Sequence, residues 1–217
     1  KAGPLIARLG EEVAAPLLLS LVRMLIYSRR EDLIPEFSGY AAAHEGWGRG
    51  ANGAAPEAAA YRGLNVDNAL ALTAAHAGSP PEAVYHALLG ANAANMLSFD
   101  LAYQDHVERP IRDNVGWLDF THGITFANAV RTQCAKFPEL WPAGLLQMDC
   151  FSGRNAPYTD QALDVDEWRV EDPTAFFEAT ARGIFDHGRN EDIVSVHLLK
   201  TTLVARAEAA ADPAVAP

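Results

Sequence analysis

Apolar residues in this sequence recur at intervals of three and four residues, which is the spacing of one face of an α-helix. Strict alternation of apolar and polar residues, the pattern of a half-buried β-strand, is absent over any useful length. An alanine-rich background with few β-branched runs also favours helices over strands. We therefore predict an all-α fold, a helical bundle built from αα-hairpins.

The length of the chain bounds the number of domains. A chain of 217 residues can bury one substantial core, so we predict a single helical domain over 1–217, which can be a fragment of a longer chain. Three segments interrupt the predicted helices: a glycine-rich flexible loop at 46–63, a polar surface connection at 154–172 and a loose tail at 211–217.

Start and stop signals place the individual helices. Residues 4–28 are predicted to be helical, with Pro16 either kinking the helix or marking its true start, and 139–151 form a shorter helix that we expect to stop at Ser152-Gly153. Asn65 or Asp67 caps the next predicted helix, since a short polar side chain can accept a hydrogen bond from a free N–H group of the first turn.

Two pairs of predicted helices, at 67–104 and at 173–210, share a pattern. In the first pair, Gly78 ends one helix and Ser79-Pro80-Pro81-Glu82 begins the next. Each pair carries one histidine near its turn and a second histidine ten residues later in the following helix, which gives His76, His86, His187 and His197.

Charge and cysteine content exclude several functional classes. The formal net charge is -11 at pH 7, whereas a nucleic-acid or anionic-membrane surface requires clustered Lys and Arg. No apolar run approaches the roughly 20 residues that span a bilayer, so we expect a soluble, cytoplasmic protein. Cys134 and Cys150 are too few for a zinc or iron–sulfur site and are interpreted as core thiols.

The predicted helix at 113–137 carries His122 in its middle. Apolar or small residues three, four or seven positions away share its face, which predicts that the imidazole points towards the core. Asp119 precedes it by three residues and can accept a proton from the ring or orient it. We therefore select Asp119 and His122 as candidate catalytic residues.

Five histidines are candidate metal ligands, because a helical bundle can bring imidazoles together from different directions. Alternatively, each is an ordinary core histidine whose nitrogens bond to backbone, hydroxyl groups or water. Both interpretations stay open at this point. The candidate ligands are His76, His86, His122, His187 and His197.

Several established motifs are missing from the sequence. The Glu-x-x-His pairs of carboxylate-bridged di-iron bundles, the His-Glu-x-x-His and Gly-x-Ser-x-Gly motifs and the phosphate-binding glycine loop do not occur, and no predicted strand leads into a glycine-rich turn as the dinucleotide fingerprint requires. These absences count against the enzyme classes that the motifs identify.

Three segments resemble the helical, histidine-rich domain of the questin oxidase-like family, and the similar region that follows a Rieske-type ferredoxin domain in some bacterial proteins. They are NALALTAAHAGSPPEAVYHALLGANAANM, DFTHGITFANAVR and VSVHLLKTTLVAR, within residues 65–206. The resemblance implies an α-helical fold and, for some members, Baeyer–Villiger oxidation of polyketide aromatic rings. By position it favours His76, His86, His122 and His197 as inward residues, with His187 beside them.

These observations lead to three hypotheses. The first is a metal-dependent oxidoreductase with iron favoured, acting on a small aromatic or apolar substrate, with electrons from a Rieske [2Fe-2S] domain where one is attached or supplied. The second is a non-catalytic helical interaction or scaffold module, with a homo-oligomer as one form. The third is a metal-free enzyme in which His122 and Asp119 act as a general base.

Overall fold

The computed structural model confirms the predicted all-α fold. Nine α-helices and several short 3-10 turns make up the described part of the chain. The structure describes residues 2–27, 37–48, 53–105, 108–110, 113–186, 188 and 191–212. The helices are α1 (Ala2–Leu9), α2 (Ala14–Tyr27), α3 (Tyr40–Glu45), α4 (Val66–Ala75), α5 (Pro81–Leu97), α6 (Trp117–Cys134), α7 (Trp141–Asn155), α8 (Pro173–Gly183) and α9 (Asp192–Ala211).

The chain divides into two compact units, Lys1–Ile34 and Pro35–Pro217. In the first unit, α1 and α2 are separate helices, because Gly10 adopts a positive φ of 95° between them. Pro16 lies in the first turn of α2, so it is near the start of a helix, as one of the two predicted alternatives has it. None of the residues of α2 is buried. The single domain over 1–217 stays a prediction.

Helix α7 lies at the centre of the second unit, where it packs against α3, α4, α5 and α6. Nine of its 15 residues are buried, among them large apolar side chains and the carboxyl group of Asp149. Asn65 caps α4 as predicted, with its side chain accepting a hydrogen bond from the N–H of Asn68 at 2.9 Å. Helix α5 begins at Pro81, as the sequence indicates, and ends at Leu97.

Glycines inside helices allow the close packing of α7. The prediction that this helix stops at Ser152-Gly153 is wrong, because it continues through both residues to Asn155. A Cβ atom at Gly153 would lie 2.4 Å from the backbone nitrogen of Val66 at the start of α4. Gly153 is therefore the point at which two backbones meet rather than a helix terminator.

Helix α6 buries a different face from the predicted one. Its buried residues include Phe120, Gly123, Ile124 and Ala127, whereas His122 is exposed. The prediction that His122 points into the core is therefore wrong. The small residues explain the error, since a Cβ at Gly123 would lie 2.9 Å from the Oδ1 of Asn92 on α5, so the glycine side of α6 packs most closely.

Hydrogen bonds and packing contacts show the directions of the helices around α6. Helices α6 and α9 run parallel, because contacts between them keep a nearly constant sequence separation, 75 residues for His122 with His197 and 77 for Arg131 with Glu208. Helix α8 and the segment that precedes it pack beside α9. In the described ranges, no helix is long and apolar enough to cross a membrane.

Candidate functional site

Two of the predicted histidines meet where α6 lies against α9. The Nε2 atoms of His122 and His197 are 3.2 Å apart. The Nδ1 atom of His197 lies 2.7 Å from the carbonyl oxygen of Ile193, one turn earlier in α9. Because a carbonyl only accepts, Nδ1 of His197 carries the hydrogen and its Nε2 presents a lone pair to His122 when the ring is neutral. We call these two residues the histidine pair.

The two rings of the histidine pair differ in their surroundings. His197 is 9% exposed and packs edge-on against Trp117, with 5.7 Å between ring centroids. His122 is exposed to solvent. One imidazole is therefore held by its packing and its backbone hydrogen bond, and its partner borders the outside of the helical bundle.

The spacing of the histidine pair is compatible with a shared proton and with a shared metal ion. In a metal-free protein with both rings neutral, Nε2–H of His122 would donate to Nε2 of His197 at this distance. A metal ion about 2.1 Å from both nitrogens would see them at an angle of about 100°, close to the tetrahedral value. The N–H of His197 on the backbone carbonyl is the arrangement that commonly orients a metal-binding imidazole. The separation of the two nitrogens is thus compatible with a shared metal ion, towards which the rings would turn from their direct hydrogen bond.

The other candidate ligands lie elsewhere. His86 on α5 pairs with Asp212, with its Nδ1 atom 3.2 Å from Oδ2. Asp212 follows His197 by 15 residues, which is about 22 Å along a helix. His76 is the C-terminal cap of α4, which packs chiefly against α7. His187 lies outside the described residues.

Asp119 stabilises the start of α6. Its Oδ2 accepts a hydrogen bond from the backbone N–H of Gly116 at 3.1 Å, and its Oδ1 lies 4.0 Å from the Nε of Arg154. Burial raises the pKa of the Asp119 carboxyl, which the backbone hydrogen bonds partly oppose. The observed function of Asp119 is helix capping, and its catalytic role stays a prediction.

The described side chains form no larger metal-binding cluster. No group of three or more His, Cys, Asp or Glu residues is arranged to hold a metal ion there. Of the described histidines, His122 and His197 are the two that come together, and a site with all five predicted ligands stays a prediction.

An apolar cavity of about 730 Å³ lies one helical turn from the histidine pair. Helices α5, α6, α8 and α9 line it together with residues 168–173, and Thr201 of α9 follows His197 by four residues. This volume is within the range of sites for small molecules. Its interior is formed mainly by hydrophobic and aromatic side chains, which include Leu89, Met96, Ile124, Trp168, Phe176 and Phe177.

A group of polar residues that the sequence analysis did not select lies at one end of the cavity. Arg131 donates two hydrogen bonds to Glu208, from Nε at 2.8 Å and from a terminal nitrogen at 2.9 Å. Asn128 and the hydroxyl of Tyr85 donate to the same carboxylate, at 2.6 and 2.9 Å. Burial alone would raise the pKa of Glu208, but these hydrogen bonds outweigh it and lower the pKa below its usual value. We call these four residues the Glu208 cluster.

A second buried carboxyl group lies in the α4–α7 contact. Tyr61 and Thr73 are 2.8 Å apart through their hydroxyl oxygens, and Thr73 donates to Oδ1 of Asp149 at 2.9 Å. Asp149 is fully buried, and burial raises its pKa well above the usual value. One sequence signal points to both carboxylates, since Glu208 and Asp149 are isolated acidic residues within apolar helical segments.

Comparison with protein-family models, with curated proteins and with solved structures finds no match to this chain. The resemblance to the questin oxidase-like family therefore stays a prediction.

Proposed function

We propose that this protein is a metal-dependent oxidoreductase in which His122 and His197 bind a transition metal ion. The observation that supports the proposal is the 3.2 Å separation of their Nε2 atoms, with the ring of His197 oriented by its hydrogen bond to Ile193. Two imidazoles leave further coordination positions for other ligands. Since His122 is exposed, a small molecule can approach from solvent.

The apolar cavity supplies a place for the substrate. It begins one turn beyond His197 on α9, and Ile124, two residues after His122, also contributes to its wall. Both the proposed metal ligands and the cavity therefore depend on the same pair of helices. A small aromatic or apolar substrate suits a lining of this composition.

Iron is the metal that we favour, because neutral imidazoles with open positions suit iron in oxygen-dependent enzymes. A bound iron ion would supply Lewis acidity and one-electron redox chemistry. A Rieske-type [2Fe-2S] domain, attached or separate, is the proposed electron donor. His197 would hold its position through Ile193 and Trp117, whereas His122 is the ligand with fewer restraints from packing.

Anaerobic titration of metal-free protein with Fe²⁺, and with Co²⁺ as a spectroscopic substitute, tests the proposal. We expect about one ion per chain, and weakening by about tenfold or more in both His122→Ala and His197→Ala. His86→Ala is the matched control, since His86 pairs with Asp212 at a distance from the site. Absence of binding by the wild type, or equal binding by all variants, would contradict the proposal.

A non-catalytic interaction module is the second candidate, and the outward face of α9 favours it. Ile193, Val196, Leu199 and Leu203 recur at helical spacing and are about half exposed. In this case the protein would self-associate or bind a partner, and the histidines would be structural. Light scattering of the wild type and of Leu199→Asp distinguishes this candidate, since only an interface on α9 predicts that the substitution lowers the oligomeric mass.

A further inference from the structure

The Glu208 cluster lies directly behind one wall of the apolar cavity. Glu208 lines the cavity, whereas the three side chains that donate to it do not. The two oxygens of its carboxylate receive four hydrogen bonds, two of them from Arg131. A guanidinium with further donors around one buried carboxylate is an arrangement that also recognises carboxylate ligands.

We propose that Glu208 is a specificity-determining residue of the cavity, whose carboxylate occupies the position of a ligand anion, so that the cavity accepts uncharged apolar molecules and excludes their carboxylate counterparts. Glu208 uses four donor hydrogens of Arg131, Asn128 and Tyr85, and none of these three side chains lines the cavity. A ligand carboxylate would find no such donor at this end and would lie beside an existing negative charge. An uncharged ligand avoids both penalties.

The remaining polar groups of the cavity also suit an uncharged ligand. Oγ1 of Thr201 is buried and has no hydrogen-bond partner among the described residues, so it can bond to a ligand hydroxyl. Glu171 and Asp172 are exposed where the cavity meets solvent and add negative charge, against one cation at Arg169. An anion therefore meets a net negative entrance as well as Glu208.

The inference uses the substrate cavity of the proposed function but does not depend on its metal ion. The test is therefore carried out on metal-free protein in the presence of a chelator. Octan-1-ol and octanoate are suitable probes, because they share an apolar tail and differ in charge. Binding is followed by isothermal titration and by the fluorescence of Trp168, which lines the cavity, with Trp168→Phe to assign the signal.

For the wild type, we expect octan-1-ol to bind about tenfold or more tightly than octanoate, since an unpaired ligand charge is strongly disfavoured there. Thr201→Val should weaken binding of the alcohol by a few fold, since it removes one hydrogen bond. Glu208→Ala should reverse the preference, because it frees the donors of Arg131 for the octanoate carboxylate. The double variant Glu208→Ala with Arg131→Met should lose this gain.

Melting temperatures and a matched control variant separate the effect of Glu208 on ligand binding from its effect on stability. Octanoate should raise the melting temperature of Glu208→Ala more than that of the wild type, because a ligand that binds only the folded state stabilises it. Should Glu208→Ala not fold, Glu208→Gln tests the same charge effect, because it keeps the shape of the side chain and removes its charge. The preference for octan-1-ol over octanoate should then fall at least about threefold. Glu178→Ala is the matched surface control, because Glu178 forms an exposed pair with Arg182.

Equal binding of both probes by the wild type, or an unchanged preference after Glu208 is replaced, would overturn the inference. Failure of octan-1-ol to bind to the wild type would also overturn it. The proposed metal site would be unaffected by these results, because the titration of the histidine pair uses no cavity ligand. Loss of metal binding would in turn leave the probe measurements unchanged.

Discussion

The histidine pair and the Glu208 cluster join the same two parallel helices, about 15 Å apart along them, but differ in how far they are exposed to solvent. In the Glu208 cluster, four donors satisfy one carboxylate whose side chain is only 8% exposed. In the histidine pair, two nitrogens face each other and one ring borders solvent. The buried cluster stabilises the α6–α9 contact, whereas the histidine pair is accessible to a ligand from solvent.

The largest effect should come from Glu208→Ala. This substitution leaves Arg131 without its carboxylate partner in a mostly buried position, so the free energy of unfolding should fall by about 3 kcal/mol. Urea denaturation followed by circular dichroism measures the change. A loss below about 1 kcal/mol would show that the Glu208 cluster does not stabilise the α6–α9 contact more than a surface ion pair does.

The pH dependence of Glu208→Gln sharpens the comparison. The folded-state pKa of Glu208 is lowered. Its contribution to the free energy of unfolding is therefore present above the unfolded-state pKa and is lost as the pH falls through the folded-state pKa. At pH 7 the variant should be less stable than the wild type by about 2 kcal/mol, and the difference should shrink below pH 4. Denaturation midpoints at pH 3 to 8 test this, and a difference independent of pH would contradict it.

Removal of one donor from the Glu208 cluster should have a smaller effect. Tyr85→Phe deletes the hydroxyl that donates to Glu208 and keeps the ring, which packs against Trp141. We expect a loss of about 1 kcal/mol in the free energy of unfolding, since the other three hydrogen bonds to the carboxylate remain. Chemical denaturation measures it, and a loss as large as that of Glu208→Ala would mean that the hydroxyl, rather than Arg131, is the principal partner.

The smallest effect should come from His122→Ala in metal-free protein. His122 is exposed and its loss leaves Nε2 of His197 near solvent, so stability should change by no more than about 0.5 kcal/mol. In the presence of Co²⁺, the wild type should gain thermal stability and the variant should not. Thermal melts with and without the metal compare the two, and a large loss in metal-free protein would indicate a structural role for the pair.

The sequence predicts the local features well because they depend on neighbouring residues. The all-α fold, the cap at Asn65 and the helix start at Pro81 all follow from side chains that act on the adjacent backbone. The buried face of α6 was mispredicted for the opposite reason. Its orientation is decided by how closely Gly123 approaches Asn92 on another helix, and hydrophobic periodicity gives little weight to glycine.

The candidate site depends on contacts between distant parts of the chain. His122 was selected together with four other histidines, and no local signal indicated that His197, 75 residues away, would be its neighbour. Glu208 was not selected, because its partners Tyr85 and Arg131 lie on two other helices. Only the packing of α9 onto α5 and α6 reveals that one carboxylate organises these donors.

The parallel course of α6 and α9 means that a single docking event completes both sites. Helix α9 supplies one member of the histidine pair and the wall residues Thr201, Ala205 and Glu208 of the cavity, so undocking it would dismantle both together. A ligand that holds α9 in place at one site therefore lowers the conformational entropy cost of binding at the other site. Metal ions and cavity ligands should thus show positive thermodynamic linkage, without any change of shape in the docked state.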